Sequence, residues 1–418
     1  MKKLHVEPGG FLNGRLEVPG DKSISHRVLL LASLADGTSV IRGLSDGDDV
    51  NRTLLIIESL GAEVEFSTSG ELKIKGGSLE EPENVLNVGN SGTAIRLLAG
   101  LLVGLPFAAT LDGDHSVRSR PMDRVVQPLR EMGADIEASG LLDSRAPLNI
   151  RGGGLKGIEY HLPVASAQVK GAVLFAGLSA EGPTTVFETI ATRTHTEEIM
   201  STLGINVEIT PESVTVHPGR PQPFEYQVPG DPSQAAFWAV AASIVPGSEL
   251  TIEQVYRGQA RTGFVEVLRR MGADINHDKK TGNLNVASAP LFGTTVESYE
   301  VPGLVDEIPV LAVAAACATG KTRFREVSEL RIKESNRLET ICSELGAMGV
   351  YLETIGDDLL VNGGQLRGTE VNTFGDHRIG MACAIAALVA EGPTSIKNWE
   401  SVATSYPGFD RDLESLRT

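Results

Sequence analysis

Residues 26–40 read HRVLLLASLADGTSV, a small-residue apolar run that stops at a glycine and continues into β-branched residues. Five further stretches repeat this design: TAIRLLAGLLVGLPFAATL from 93, QVKGAVLFAGLSAEGPTTV from 168, QAAFWAVAASIVPGSELTI from 234, IPVLAVAAACATGKTRF from 308 and HRIGMACAIAALVAEGPTSI from 377. Their glycines, Gly37, Gly104, Gly182, Gly247, Gly320 and Gly392, recur about every 70 residues, and a fixed period of that kind marks a repeated supersecondary unit. Runs that are apolar nearly all round predict buried helices, and a glycine just past each predicts a left-handed cap.

A second motif alternates with the first, a helix ending in Leu or Met, then Gly, then a strand. It stands as SLGAEVEF from 59, EMGADIEA from 131, TLGINVEI from 202, RMGADINH from 270 and, less cleanly, AMGVYLE from 347. A sixth copy would follow FDRDLESLRT at 409–418, but its strand is missing there. A strand within residues 2–7 is therefore expected to supply that piece and to close the last unit on the N-terminus.

Three units per half, each with two helices and about four strands, predict an α/β fold of two similar domains. One domain spans 20–225 and the other joins 1–19 to 226–418. The chain then crosses between them twice, near Val18-Pro19-Gly20 and near Val228-Pro229-Gly230. Both crossings open one motif, PGDKSISHR at 19–27 and PGDPS at 229–233, and paired Pro-Gly crossings suit a hinge.

With 418 residues, 41% of them apolar, the chain is long enough for two or three packed cores. No signal-peptide or membrane-length apolar run is present, so a cytoplasmic location is expected. The formal charge of −17 disfavours nucleic acid and anionic membrane, which need a basic face. Cys317, Cys342 and Cys383 lack metal-ligand or disulfide spacing and read as buried small residues. The cations are nevertheless concentrated: Lys22, Arg27, Arg118, Arg120, Arg193, Lys333, Arg337 and Arg378 all lie in Gly-, Ser- or Asp-rich junctions. Singly, each reads as a solvated surface charge.

Six of these junctions precede the repeated helices: PGDKSISHR, NVGNSGTAIR, PVASAQVK, VPGDPSQ, VPGLVDEIP and FGDHRIG. A helix N-terminus carries unsatisfied N–H groups and favours anions, and parallel helices would turn six such ends toward one cleft. Asp21, Ser23, Asn90, Thr93, Ser166 and Asp231 also fit as simple N-caps. Lys22, Arg27, Arg96 and Arg378 oppose the helix dipole unless an anion lies between, which points to an anionic small molecule. Two other motifs carry little weight. GKT at 320–322 lacks the first phosphate-loop glycine, since position 315 is alanine, and THTEE at 194–198 lacks HExxH spacing.

Lys22-Ser23 and Arg27 after PGD, GNSGTAIR at 89–96, RSRP at 118–121, SAQ at 166–168, RIKESNRL at 331–338 and GDHR at 375–378 are ordered motifs over essentially the whole chain. In these the chain closely resembles the 3-phosphoshikimate 1-carboxyvinyltransferase family, also called the 5-enolpyruvylshikimate-3-phosphate synthases. The resemblance implies two inside-out α/β domains, each of three pseudo-repeats, around an interdomain cleft. It implies transfer of the enolpyruvyl group of phosphoenolpyruvate to the 5-hydroxyl of shikimate 3-phosphate, by addition and elimination through a tetrahedral intermediate. No cofactor or metal is expected, and a monomer is.

By the same resemblance, Lys22, Ser23, Arg27, Ser166, Ala167, Gln168, Arg193, Asp306 and Lys333 contact shikimate 3-phosphate. Lys22, Gly92, Arg120, Gln168, Glu334, Arg337 and Arg378 contact phosphoenolpyruvate, with the glycine leaving room for a close backbone approach. Asp306 matches the base for the 5-hydroxyl, Glu334 the proton donor, Lys22 an aid to proton transfer and His377 a group that orients its neighbours. From spacing alone, Lys333 and Arg337 would share a helix face and could equally be a surface ion-pair ladder. Asp306 and Glu307 could equally be a cap with a first-turn acid.

Positions 403–407 read ATSYP, with Thr404 where the better-known branch of the family has a lysine, so the chain resembles the other branch. Gly92 matches the form that accepts the inhibitor glyphosate while the branch argues against it, which leaves sensitivity open. The sister transferase acting on UDP-N-acetylglucosamine normally carries Lys-Asn and a loop cysteine; here Ser23 follows Lys22 and DGDHSVRSR at 112–120 has none. A noncatalytic anion-binding protein has no use for Asp306 and Glu334 among the cations.

Overall fold

A computed structural model of the chain describes residues 2–67, 70–258 and 261–418. They divide into two compact units, Gly20–Val228 and Met1–Pro19 with Pro229–Thr418. The chain passes from one to the other three residues beyond the expected 225/226 boundary. The reason is the strand Glu225–Gln227, which pairs in parallel with Gly37–Arg42 and so belongs with the unit it closes.

The repeated apolar runs are helices: Lys22–Leu34, Gly92–Leu102 and Ala167–Gly177 in one unit, Pro232–Ile244, Ile308–Cys317 and His377–Ala387 in the other. Pro232–Ile244 is buried through Ser243, and the last three pack on one another. Burying such surface contributes about 25 cal/mol per Å², the main drive for sequestering these Ala- and Leu-rich runs. Five of the six expected cap glycines have positive φ; Gly104 does not. There Val103 ends the helix in the right-handed region, and a Cβ at Gly104 would lie 2.7 Å from the Ser179 side chain.

The second motif's helices are Asp48–Ser59, Asp123–Glu131, His195–Thr202, Gly263–Arg270, Arg337–Ala347 and Phe409–Leu416. Each repeat carries a sheet with the same plan, a parallel pair followed by antiparallel strands. In Leu86–Asn87, Ala108–Asp112, Leu148–Arg151, Asp135–Ala138, for example, Leu148–Arg151 alternates buried and exposed residues, as the period of two requires.

The sixth sheet is completed from the other end of the chain. Lys3–Val6 pairs antiparallel with Thr394–Lys397, Lys3 opposite Lys397 and Val6 opposite Thr394, giving three strands where the other sheets have four. Asn13–Glu17 likewise supplies the parallel first strand beside Glu249–Glu253. The C-terminal helix docks through aromatics: Phe409 stacks on Trp238 with ring centroids 4.9 Å apart, and Trp238 Nε1 donates to Tyr406 Oη at 3.2 Å. The twin motifs touch, since the Asp231 N–H donates to the Pro19 carbonyl at 2.9 Å.

Lys321 lies in the strand Lys321–Phe324, so GKT follows a helix and opens a strand, the reverse of a phosphate loop. Among the described residues no group of three or more His, Cys, Asp or Glu is placed to hold a metal, and no helix is long and apolar enough to cross a membrane. Of the three thiols, Cys383 is buried while Cys317 and Cys342 are only partly so.

Candidate active site

In the unit Gly20–Val228, the junctions before the three repeat helices are built alike. Asp21, Ser91 and Ser166 are the N-caps, accepting from the N–H groups of Ile24, Ala94 and Val169; each such cap contributes about 1 kcal/mol. Ser91 thus does what the sequence suggested for Asn90 or Thr93. Those two neighbours are turned to other work: Asn90 accepts from Arg120 Nη2 at 2.9 Å, and Thr93 accepts from Gln168 Nε2 at 3.0 Å.

The cations gather at the same helix starts. Lys22, in the first turn of its helix, pairs with Asp49 at 3.0 Å. Arg27 is buried, donating from Nη1 to the Ser23 carbonyl at 2.8 Å and from Nε to Thr196 Oγ1 at 2.7 Å. Arg96 donates to Gln168 Oε1 at 2.9 Å and to the Gly92 carbonyl at 2.8 Å. Arg120 also takes Ser116 Oγ, at 2.9 Å. Arg193 precedes the helix His195–Thr202 and is half-buried. Arg118 stands apart, more than half exposed and paired with Asp112, whose carboxyl it holds below the ordinary range. Of the partners named at these helix starts only Asp49, on Lys22, is charged; the others are neutral oxygens, which hydrogen-bond a guanidinium without balancing its charge.

Gly92 is the first residue of its helix. A Cβ there would lie 2.4 Å from Arg120 Nη1 and 2.9 Å from Arg96 Nη1. The absent side chain thus makes room for two guanidinium groups rather than for backbone alone.

His26 sits beneath this cluster, fully buried, with Nδ1 at 2.8 Å from Thr53 Oγ1. Burial, then the charges of Lys22 and Arg27, push its pKa well below the ordinary value, so it is neutral in the fold. The unfolded chain takes up that proton at a higher pH than the folded one, so this residue costs stability as pH falls below about 6.5. His26→Gln is expected to melt closer to the parent at pH 5.5 than at pH 8. A melting difference independent of pH would contradict this.

The other unit carries the acids. Arg337, about 1% exposed, opens the helix Arg337–Ala347 and reaches three carboxylates: Asp376 Oδ2 at 2.8 Å, Asp306 Oδ1 at 3.1 Å and Glu334 Oε2 at 2.5 Å. Burial alone would lower its pKa; the carboxylates of Asp376, Glu334 and Asp306 outweigh it and raise the pKa, so the guanidinium stays charged. Arg378 donates to the Asp306 carbonyl at 3.2 Å and its Nε lies 3.4 Å from Asp306 Oδ1. Asp376 caps the helix His377–Ala387 through the Arg378 N–H and accepts from Ser335 Oγ at 3.1 Å. His377 is buried in the first turn of that helix.

Lys333 and Arg337 do not share a helix face. A 3-10 turn, Ser328–Ile332, ends at Lys333, which is extended at φ −96 and ψ −154, and Asn336 caps a new helix by accepting from the Glu339 N–H. The new helix starts at that cap, and Glu334, before it, accepts from Arg337 Nη2. Lys333 lies 3.5 Å from Glu329. Burial lowers its ammonium pKa, opposed by Glu329 and Asp306. Asp306 is not a cap: Glu307 holds the N-cap position of Ile308–Cys317 without a side-chain cap bond, and its carboxylate goes to Arg261 at 3.4 Å and to Ser233. Thr404 ends the 3-10 turn Trp399–Thr404, next to Ser405, which accepts from Gln234 Nε2 at 3.1 Å.

Asp49, Thr196 and Asp376 were not singled out from the sequence. Asp376 could have been, since it stands inside GDHR before a helix; the other two carry no local signal.

Residues 6–413 match the family model described as EPSP synthase (3-phosphoshikimate 1-carboxyvinyltransferase). A 3-phosphoshikimate 1-carboxyvinyltransferase of Chloroflexus aurantiacus is 47% identical, with 100% of this chain and 99% of the relative covered. Another, from a Synechocystis strain, is 48% identical over 98% of this chain and 95% of its own. The solved EPSP synthase of Acinetobacter baumannii superposes with a TM-score of 0.88 at 37% identity, covering 100% and 98% of the two chains. The enolpyruvyl transferase NikO of Streptomyces tendae, at 19% identity over 99% and 96%, shares the fold with a TM-score of 0.81.

Proposed function

Because the chain belongs to the EPSP synthase (3-phosphoshikimate 1-carboxyvinyltransferase) family, we propose that it moves the enolpyruvyl group of phosphoenolpyruvate to the 5-hydroxyl of shikimate 3-phosphate and releases phosphate. It is a transferase of the shikimate pathway, on the route to chorismate and the aromatic amino acids. The observation that carries the reading is the cluster in which one buried cation, Arg337, holds both Asp306 and Glu334, with Arg378 beside Asp306.

Addition joins the 5-oxygen to C2 of phosphoenolpyruvate while a proton reaches C3. Elimination removes a proton from the new methyl group and breaks the C2–O bond to phosphate. Both steps need a positioned acid and base, and the charge on the departing phosphate needs fixed cations. In this reading Asp306 takes the hydroxyl proton, Glu334 delivers one to C3, and Lys22 assists. Asp306 and Glu334 suit this because each is about a fifth exposed, 19% and 18%, while anchored on the buried arginine.

Shikimate 3-phosphate is bound by Lys22, Ser23, Arg27, Ser166, Ala167, Gln168, Arg193, Asp306 and Lys333. Phosphoenolpyruvate is bound by Lys22, Gly92, Arg120, Gln168, Glu334, Arg337 and Arg378. Gln168 fits a place in both sets, since Arg96 and Thr93 hold its amide at two points. The enzyme acts as a monomer in the cytoplasm, without nucleic acid or membrane. Its net charge of −17 supports the lack of a polyanionic partner, and light scattering tests the monomer.

Phosphate release is to be measured with phosphoenolpyruvate plus either shikimate 3-phosphate or UDP-N-acetylglucosamine. Release with the first acceptor alone is expected. Release only with the second would overturn the assignment, and release with neither would leave an anion-binding protein. Gly92→Ala is expected to raise KM for phosphoenolpyruvate about tenfold, since overpacking typically costs 1–3 kcal/mol, with KM for shikimate 3-phosphate unchanged. Equal changes in both would remove Gly92 from the donor pocket.

A further inference from the structure

Lys170, on the helix Ala167–Gly177, has no part in the chemistry above, yet its side chain is fully buried in a charge cluster. Its ammonium donates to Glu197 Oε1 at 2.6 Å and to Glu188 Oε2 at 2.8 Å. Glu197 is itself 1% exposed, and its Oε2 meets no hydrogen-bond donor. Burial raises the Glu197 carboxyl pKa, with Lys170 opposing. Thr192 donates to the far oxygen of Glu188. Buried ion pairs as a class add little stability over an apolar core of equal volume, which directs attention to what these charges hold in place.

They tie together three segments that carry proposed substrate contacts. The Lys170 N–H donates to the Ser166 carbonyl at 3.0 Å, so Lys170 moves as one piece with Ser166, Ala167 and Gln168. Glu188 and Glu197 bracket the stretch that carries Arg193. Thr196, beside Glu197, accepts from Arg27 Nε at 2.7 Å. Thr196 and Arg27 meet the helix at Gly171, where a Cβ would lie 3.0 Å from Thr196 Oγ1 and 3.2 Å from Arg27 Nη2. One ammonium therefore clamps both ends of the 188–197 stretch to the helix that presents Ser166–Gln168.

We infer that Lys170, through Glu188 and Glu197, is a positioning residue for the shikimate 3-phosphate end of the site. It sets Arg193 and the Thr196–Arg27 pair against Ser166, Ala167 and Gln168. The inference rests on the assignment of those residues to that substrate in the preceding section. Misplacing binding groups by about 1 Å costs up to about a hundredfold, so a selective loss is the signature.

The test is calorimetric titration of the full-length chain with shikimate 3-phosphate, with steady-state kinetics alongside. Lys170→Met is expected to weaken shikimate 3-phosphate binding at least about tenfold, and to raise KM for phosphoenolpyruvate, which shares only Gln168 with this clamp, by several-fold less. Glu197→Leu, which frees one end of the clamp and keeps Glu188, should show the same selectivity more weakly. Glu197→Gln keeps an acceptor for the ammonium and should restore binding. Unchanged binding in folded Lys170→Met and Glu197→Leu, or equal losses for both substrates, overturns the inference. So does failure of both variants to fold, which would make the cluster a requirement of the fold. Arg193→Ala separates the two levels: if it leaves shikimate 3-phosphate affinity intact, the site assignment itself falls, and this inference with it.

Discussion

Asp306→Asn is expected to lower kcat on the order of a thousandfold in the phosphate-release assay, with both KM values within about threefold of the parent. The substitution is chosen because it removes only one property. Asparagine has the same shape and still offers an oxygen to Arg337 Nη1 and Arg378 Nε, which lie 3.1 Å and 3.4 Å from Asp306 Oδ1. It cannot accept a proton from a substrate hydroxyl. A loss confined to kcat therefore reports an interaction made only in the transition state. A raised KM at unchanged kcat would make Asp306 a binding residue and leave the base to be found elsewhere.

Arg337→Met is expected to show the largest loss of stability. The guanidinium is buried and pairs with Asp376, Glu334 and Asp306, and methionine leaves those acids around an uncharged thioether. Breaking a buried pair by removing one partner costs about 3–5 kcal/mol, which in a unit of this size lowers the apparent Tm on the order of 10 °C. Activity should fall with it, even at temperatures where the variant is folded, because Asp306 and Glu334 lose their common anchor. If the Tm stayed within about 2 °C, the three carboxylates would not depend on Arg337 for their charge balance, and the anchoring role in the proposed mechanism would fail.

Both predictions depend on Arg337 standing where a helix begins, which spacing alone did not show. It stands four positions after Lys333, and a continuous helix would have put both on one face. Asn336 instead caps a new helix, so Arg337 meets Glu334 across the cap, and Lys333 is left with Glu329. The motif RIKESNRL marked the residues; the break within it decided their partners.

The repeat was legible throughout, because a small-residue helix followed by a β-branched strand is a local pattern written into each unit of about 70 residues. Even the strand lent by residues Lys3–Val6 followed from counting what the last repeat lacks. The charged residues of the junctions were legible too, since cations at a helix start stand against the local rule. Which acceptor each cation meets was not. Asp49 lies 27 residues from Lys22, Thr196 169 residues from Arg27, and Asp376 39 residues from Arg337. The sequence by itself determined the α/β repeat, the family and the identity of the charged groups, because those depend on periodicity and motif. Only the tertiary structure decided the pairing of those charges and the burial of Lys170 among Glu188 and Glu197. Such pairings are made between helices whose mutual packing is set by apolar faces, and nothing in the local sequence encodes which polar groups that packing brings within reach.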